Sequence, residues 1–182
     1  DLALCVDARR TPKLVIRVES EREVVELLKL AGAERVPVTF RAAGTSLSGQ
    51  AISDSVLIVL GDHWNGREIR AGGAQIRLQP GVIGAAANAL LAPLQRKIGP
   101  DPASINACKI GGIVANNASG MCCGTAQNSY HTLAGIRLVL ADGLLRTLRA
   151  SGAVVDHVAS GSEADAALLT NNEFDLLILD LG

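Results

Sequence analysis

Near the start of this chain a strand-like run, Val36-Pro37-Val38-Thr39-Phe40, passes directly into a loop of small residues, Arg41-Ala42-Ala43-Gly44-Thr45-Ser46-Leu47-Ser48-Gly49-Gln50. The loop holds two glycines, three hydroxyls (Thr45, Ser46, Ser48) and the Gln50 amide. Successive backbone N–H groups in such a loop can converge into an anion-binding nest. Glycine lets the backbone approach phosphate oxygens, and hydroxyls add donors. Gly44 and Gly49 have the spacing of a Walker A loop, which then requires Lys and Ser or Thr; Gln50 and Ala51 stand there instead. No GxGxxG turn is present either. Taken alone, the loop is explained equally well as a tight connection between two elements.

Its surroundings read as alternating strands and helices. Residues 13–18 alternate as a strand does, with Pro37 placing the 36–40 run at an edge or a strand start. Ser20 lies three residues before Glu23, a capping box, and Val24, Val25, Leu27, Leu28 and Leu30 form one helical face. Gly32 is expected to stop that helix. Short loops in this strand–helix–strand unit favour parallel pairing. The run Ser55–Leu60 is apolar enough for a central strand. After a polar connection at 61–74, a strand is expected at 76–79, a helix from Ile83 to Leu94, and a strand at 135–140 closed by Asp142-Gly143.

Composition narrows the function classes. Apolar residues are 48% of the 182-residue chain and charged residues 19%, so a core can form. A net charge of −1 leaves no basic excess for a polyphosphate backbone, and 2% aromatics leave few stacking platforms, so nucleic acid is not an expected partner. No apolar run is long enough for a membrane span. Asp1-Leu2-Ala3 does not open a signal peptide. Cys5, Cys108, Cys122 and Cys123 fit neither a zinc ribbon nor a CxxC pair, and read as buried or half-buried thiols of a cytoplasmic protein. No metal site is expected.

A second glycine-rich region carries more information. Pro100-Asp101-Pro102-Ala103-Ser104 is followed by Ile110-Gly111-Gly112-Ile113 and by Asn116-Asn117-Ala118-Ser119-Gly120. Prolines fix φ, paired glycines permit close approach, and adjacent amides suit a ligand with imide or ribose edges. The plainer reading is a loop whose amides satisfy nearby backbone.

In this order, Phe40–Gln50, Gln79-Pro80-Gly81-Val82, Gly99-Pro100-Asp101-Pro102, Ile110-Gly111-Gly112 and Val139–Gly143 resemble the FAD-binding domain of the vanillyl-alcohol oxidase superfamily. Within it, the likeness is to FAD-linked D-lactate, glycolate and D-2-hydroxyglutarate dehydrogenases, over about residues 10–143. The resemblance implies an α+β fold of two small α/β lobes, 1–65 and 66–143. It implies that the loop 40–46 holds the FAD pyrophosphate; the cofactor contacts expected here are Arg41, Ala42, Ala43, Gly44, Thr45, Ser46, Gly49 and Gln50. By the same resemblance Asp101 to Ala107 and Asn116 to Ser119 line the flavin and ribose; the cofactor contacts expected in this region are Pro100, Asp101, Pro102, Ser104, Ile110, Gly111, Gly112, Asn116, Asn117, Ala118, Ser119 and Gly124. Ala42 and Ala43 depart from the family's usual glycines. No histidine falls in 40–50, where covalent members attach flavin, so FAD is expected to be non-covalent. His63, His131 and His157 read as surface or structural.

The tail, 144–182, follows a different pattern. Leu144–Arg149, Val154–Val158 and Phe174–Gly182 resemble part of a response-regulator receiver domain, in which Asp180 would stand at the phosphoacceptor position. Asp142-Gly143 signals a hairpin, yet Leu144, Leu145 and Leu148 also fit an amphipathic helix. The reading adopted is a helix at 144–149, a strand from Val154, a helix at 161–170 and a strand at 175–180.

The expected function is FAD binding within an oxidoreductase that transfers hydride from D-2-hydroxy acids to flavin. The chain is expected to stop before the part that would hold the 2-hydroxy acid, to name no catalytic base, and to lack turnover by itself. The alternatives are a receiver-type signalling fragment, or a non-catalytic module for another phosphate ligand.

Overall fold

The alternating run at the start becomes β1 (Leu14–Val18) in the computed structural model, which describes residues 11–121, 124–149 and 176–177. Ser20 caps α1 (Glu21–Ala33): its Oγ accepts from Glu23 N–H at 3.3 Å. Glu23 reaches back one residue beyond the cap, accepting from Glu19 N–H at 2.7 Å. The helix does not stop at Gly32. It ends as a Schellman turn around Arg35 (φ 54), with Val36 N–H donating to Ala31 O and Arg35 N–H to Gly32 O.

β2 (Val38–Arg41) and β3 (Val56–Leu60) complete a three-stranded parallel sheet of order β1-β3-β2. The strand–helix–strand unit is parallel as expected, but β3 inserts between its two strands. Ile58 pairs with Ile16 on one side and Phe40 on the other, and is fully buried. That position explains the continuous apolar run of β3, because a central parallel strand is covered on both faces.

The 61–74 segment is more than a connection. It contains β4 (Arg67–Arg70), antiparallel to β5 (Gln75–Leu78). α2 (Gly84–Leu91) follows, then a 3₁₀ turn at Ala92–Leu94. The small-residue stretch beyond it folds into α3 (Ile110–Ala115), and α4 (Ser129–Thr132) leads into β6 (Gly135–Val139).

The structure corrects the expected helix at 144–149. β7 (Leu145–Arg149) pairs antiparallel with β6, Gly135 opposite Arg149 and Val139 opposite Leu145. Gly143 (φ 77) supplies the left-handed residue of the turn, Leu140 N–H donates to Leu144 O at 2.9 Å, and Asp142 Oδ1 accepts from Leu144 N–H. β8 (Leu176–Leu177) lies parallel to β6 on its other edge. The expected strand at 154 and helix at 161–170, with His157 and Asp180, lie outside the described residues.

β6 joins two cores. Ile136 and Leu138 pack with Val82, Ala87, Cys108, Ile110, Ile113 and Val114. Val139 packs on the opposite face with Val18, Val24, Leu28, Ile58, Leu60 and Trp64. The period-2 alternation of a strand thus serves both sides. Trp64 is buried with its indole N–H donating to Val18 O at 2.9 Å, the partner such a ring needs.

Candidate functional site

The carboxyl ends of β2 and β3 open onto a cleft of about 400 Å³, the side of a parallel sheet where ligands bind. On one wall stand Ala42, Ala43, Gly44, Thr45, Ser46 and Gln50; on the other, Pro102, Ser104, Gly111, Gly112, Asn116 and Ala118. Residues singled out in two separate stretches of sequence therefore share one space.

The second wall is held in place by the turn at 80–82. Ile110 N–H donates to Val82 O at 2.8 Å and Gly111 N–H to Pro80 O at 2.9 Å. A Cβ at Gly111 would sit 3.0 Å from Pro80 Cβ, so the start of α3 rests directly on that turn. A Cβ at Gly112 would meet Ala42 Cβ at 3.8 Å, which sets the closeness of the two walls.

The first wall keeps its shape through local bonds. Gly44 adopts φ 72, whereas Ala42 and Ala43 are absent from the positive-φ residues, so alanine is accommodated at both. Ser46 Oγ donates to Gln50 Oε1, and Ser48 N–H donates to Ser46 Oγ at 3.4 Å. Arg41 does not line the cleft. Its Nε and Nη2 donate to the Ala51 carbonyl at 2.9 and 2.7 Å, closing the loop from behind.

Other expected residues also lie away from this cleft. Asn117 Oδ1 accepts from Tyr130 N–H at 3.0 Å, tying the end of α3 to α4. Asp101 pairs with Lys97 at 3.1 Å, and its N–H donates to Ser119 O. Gly49 and Gly124 do not contribute to the lining. Pro100 and Ile110 line a second cleft of about 510 Å³ between β5 and α3–α4. Three cations at that second cleft already face carboxylates: Arg70 and Arg77 reach Glu68 at 2.9 and 3.9 Å, and Lys97 reaches Asp101. The Arg70 hydrogen bond holds the Glu68 carboxyl below its ordinary range.

The sequence did not single out Leu60, Cys108 or Lys109, all of which line the first cleft. Cys108 is a buried free thiol; Cys5, Cys122 and Cys123 lie outside the described residues. Lys109 immediately precedes the Ile110-Gly111-Gly112 run, a cation beside a glycine pair that could have been noticed. Among the described residues lining the cleft it carries the single formal charge.

Charge is also concentrated at the carboxyl end of β1, next to the end of β3 that borders the cleft. Glu19 accepts from Arg17 Nε at 2.7 Å and from His63 N–H at 3.0 Å. The His63 N–H is the main cause that holds the Glu19 carboxyl below its ordinary value. Asp62 is held low by the Arg17 guanidinium at 2.5 Å, which is itself raised by Asp62 and Glu19. His131 packs its Nδ1 against Thr125 O at 2.6 Å. Among the described residues no three His, Cys, Asp or Glu side chains could hold a metal ion, and no helix is long and apolar enough to cross a membrane.

A cleft of this size lies in the usual range for ligand sites. Its neutral donors, left-handed Gly44 and close-set glycines fit a ligand that combines phosphate with flat and polyhydroxylated parts. The FAD binding domain family matches residues 12–149, and the chain belongs to that family, with FAD as its cofactor. It is similar to the glycolate oxidase subunit GlcD of Escherichia coli K12, 36% identical over 176 residues, 96% of this chain and 32% of that protein. It is also similar to D-2-hydroxyglutarate dehydrogenase of Haemophilus influenzae, 28% identical over 142 residues, 74% of this chain and 14% of that one. The chain thus spans about a third or less of these relatives' length. Among solved structures, 6-hydroxy-D-nicotine oxidase from Arthrobacter nicotinovorans superposes with a TM-score of 0.67 at 19% identity, over 79% of this chain and 32% of that one. The expected α+β fold of FAD-linked oxidases is borne out.

The receiver-like reading of the tail finds no support. Its first helix is strand β7, and the family match continues through Arg149. The GlcD match covers 96% of the chain, tail included.

Proposed function

We propose that this chain is the FAD-binding part of a flavin-linked oxidoreductase that oxidises D-2-hydroxy acids. The observation that carries the reading is the meeting of residues 42–46 with Ser104, Gly111, Gly112 and Asn116 around one cleft. Family membership and the hydroxy-acid relatives support the substrate class. Bound FAD supplies a two-electron acceptor for hydride from the substrate carbon.

In this reading the backbone and hydroxyls of 44–46 hold the pyrophosphate, and Asn116 and Ser104 offer polar edges to ribose or flavin. Ala42 and Gly112 hold the two walls at contact distance beside it. Arg41, Asn117 and Asp101 act from outside by fixing the loops. FAD is held non-covalently in this reading: among the described residues neither His63 nor His131 lines the cleft. In this reading the described residues up to 65 form one lobe and those from 66 to 149 the second.

An absorption spectrum of the purified or FAD-reconstituted chain tests this reading. Flavin bands that pass into the supernatant after denaturation are expected; a chain that stays colourless after reconstitution overturns it. The 182-residue chain by itself is expected to show no dye reduction with D-lactate or D-2-hydroxyglutarate. Among the described residues the cleft offers no carboxylate or imidazole to take a hydroxyl proton, and substrate positioning supplies much of the barrier lowering in such reactions.

A further inference from the structure

We propose that Lys109 is a pyrophosphate-binding residue, the charge complement that the glycine–hydroxyl loop lacks; this rests on the FAD reading above. A pyrophosphate diester carries two negative charges. The loop that would cradle it supplies neutral donors only: Thr45, Ser46, Gln50 and backbone N–H groups. The cation nearest in sequence, Arg41, has two guanidinium nitrogens committed to the Ala51 carbonyl.

Lys109 comes from the opposite wall, just ahead of α3, and is half-buried. Its Nζ donates to the carbonyl of Leu60, the last residue of β3, at 3.3 Å. That contact parks the ammonium at the strand ends from which the phosphate loop departs. A neutral carbonyl at 3.3 Å is a weak partner for an ammonium, which bonds more strongly to an ionised oxygen. Asp62, the nearby carboxylate that also feels Lys109, is already engaged by Arg17 at 2.5 Å and is exposed. The ammonium is therefore available to the cleft, and among the described residues lining it no acidic side chain opposes an arriving dianion. The long, flexible lysine stem allows Nζ to move from Leu60 O onto a phosphate oxygen without backbone change.

The test is a titration of apo-protein with FAD, followed by flavin fluorescence, in about 0.02 M and about 0.5 M KCl, where charge interactions are weakly and strongly screened. Wild type, Lys109→Met and Lys109→Arg are compared. A rise in Kd of tenfold or more for Lys109→Met at low salt is expected, shrinking at high salt, with Lys109→Arg near wild type. Loss of affinity by the same factor at both salts means that Lys109 merely props Leu60, and overturns the proposal. So does an unchanged Kd at low salt. Should Lys109→Met fail to fold, the wild type decides, because its FAD affinity must weaken as KCl rises and a flat response overturns the idea. Failure of the wild type to bind FAD at either salt would instead sink the FAD reading itself.

Discussion

Arg137 of β6 places its Nη2 2.5 Å from Oε1 of Glu21 in the first turn of α1, joining residues 116 positions apart. The pair is half-buried, with side chains 31% and 29% exposed. It sits on the face of β6 that turns toward the first core, beside Val139. The ion pair therefore reinforces the strand shared by both cores.

Arg137→Ala should lower unfolding stability by about 1 kcal/mol, the upper range for a partly exposed pair. A double-mutant cycle with Glu21→Gln in urea isolates the coupling. Additive effects of the two substitutions would show that the contact contributes nothing.

Gly44→Val should weaken FAD binding. The position has φ 72, and a side chain there meets the left-handed penalty of roughly 1–2 kcal/mol. Its Cβ would also lie 3.3 Å from Arg41 Cδ, disturbing the guanidinium that closes the loop. The expected Kd is about tenfold higher, equivalent to about 1.4 kcal/mol. A variant with an unchanged melting curve and unchanged Kd would place the pyrophosphate elsewhere.

Gly120→Ala should destabilise the fold itself. A Cβ there would collide with the Asp101 carbonyl, a backbone group that cannot rotate away. That carbonyl belongs to the segment whose N–H is bonded to Ser119 O, so the two loops must separate. A loss of roughly 1–3 kcal/mol is expected from such overpacking. Equal urea midpoints for variant and wild type would contradict the close approach.

Stability should also fall in acid through Glu19. Its carboxyl is held below the ordinary value chiefly by the His63 N–H, with Arg17 adding to it. A carboxyl lowered in the fold contributes stability above its unfolded pKa and loses it as pH drops through the folded value. Glu19→Gln should therefore be less stable than wild type at pH 7, with the gap closing below the ordinary carboxylate range. Urea midpoints across pH 3–7 check this; a constant gap would remove the titration from the account.

Much of the local structure was legible in the sequence because it depends on neighbours in the chain. Alternation at 13–18, the Ser20–Glu23 cap and the apolar run of β3 are short-range patterns that secondary structure must obey. The glycine and hydroxyl content of 41–50 and the 100–120 region marked both walls of the cleft. Tertiary structure decided the rest. The leucine pattern at 144–148 suits a strand as well as a helix; pairing with β6 and the turn at Gly143 chose the strand. β3 could enter between β1 and β2 because its residues are apolar on both faces, which reveals burial without naming neighbours. Arg41 looked like a phosphate ligand until folding set Ala51 within its reach, and Lys109 became the cation of the cleft when the turn at Pro80 drew α3 against the end of β3. A residue's chemistry is written in its type, but its partner is set by contacts between distant segments, and those exist only in the folded chain.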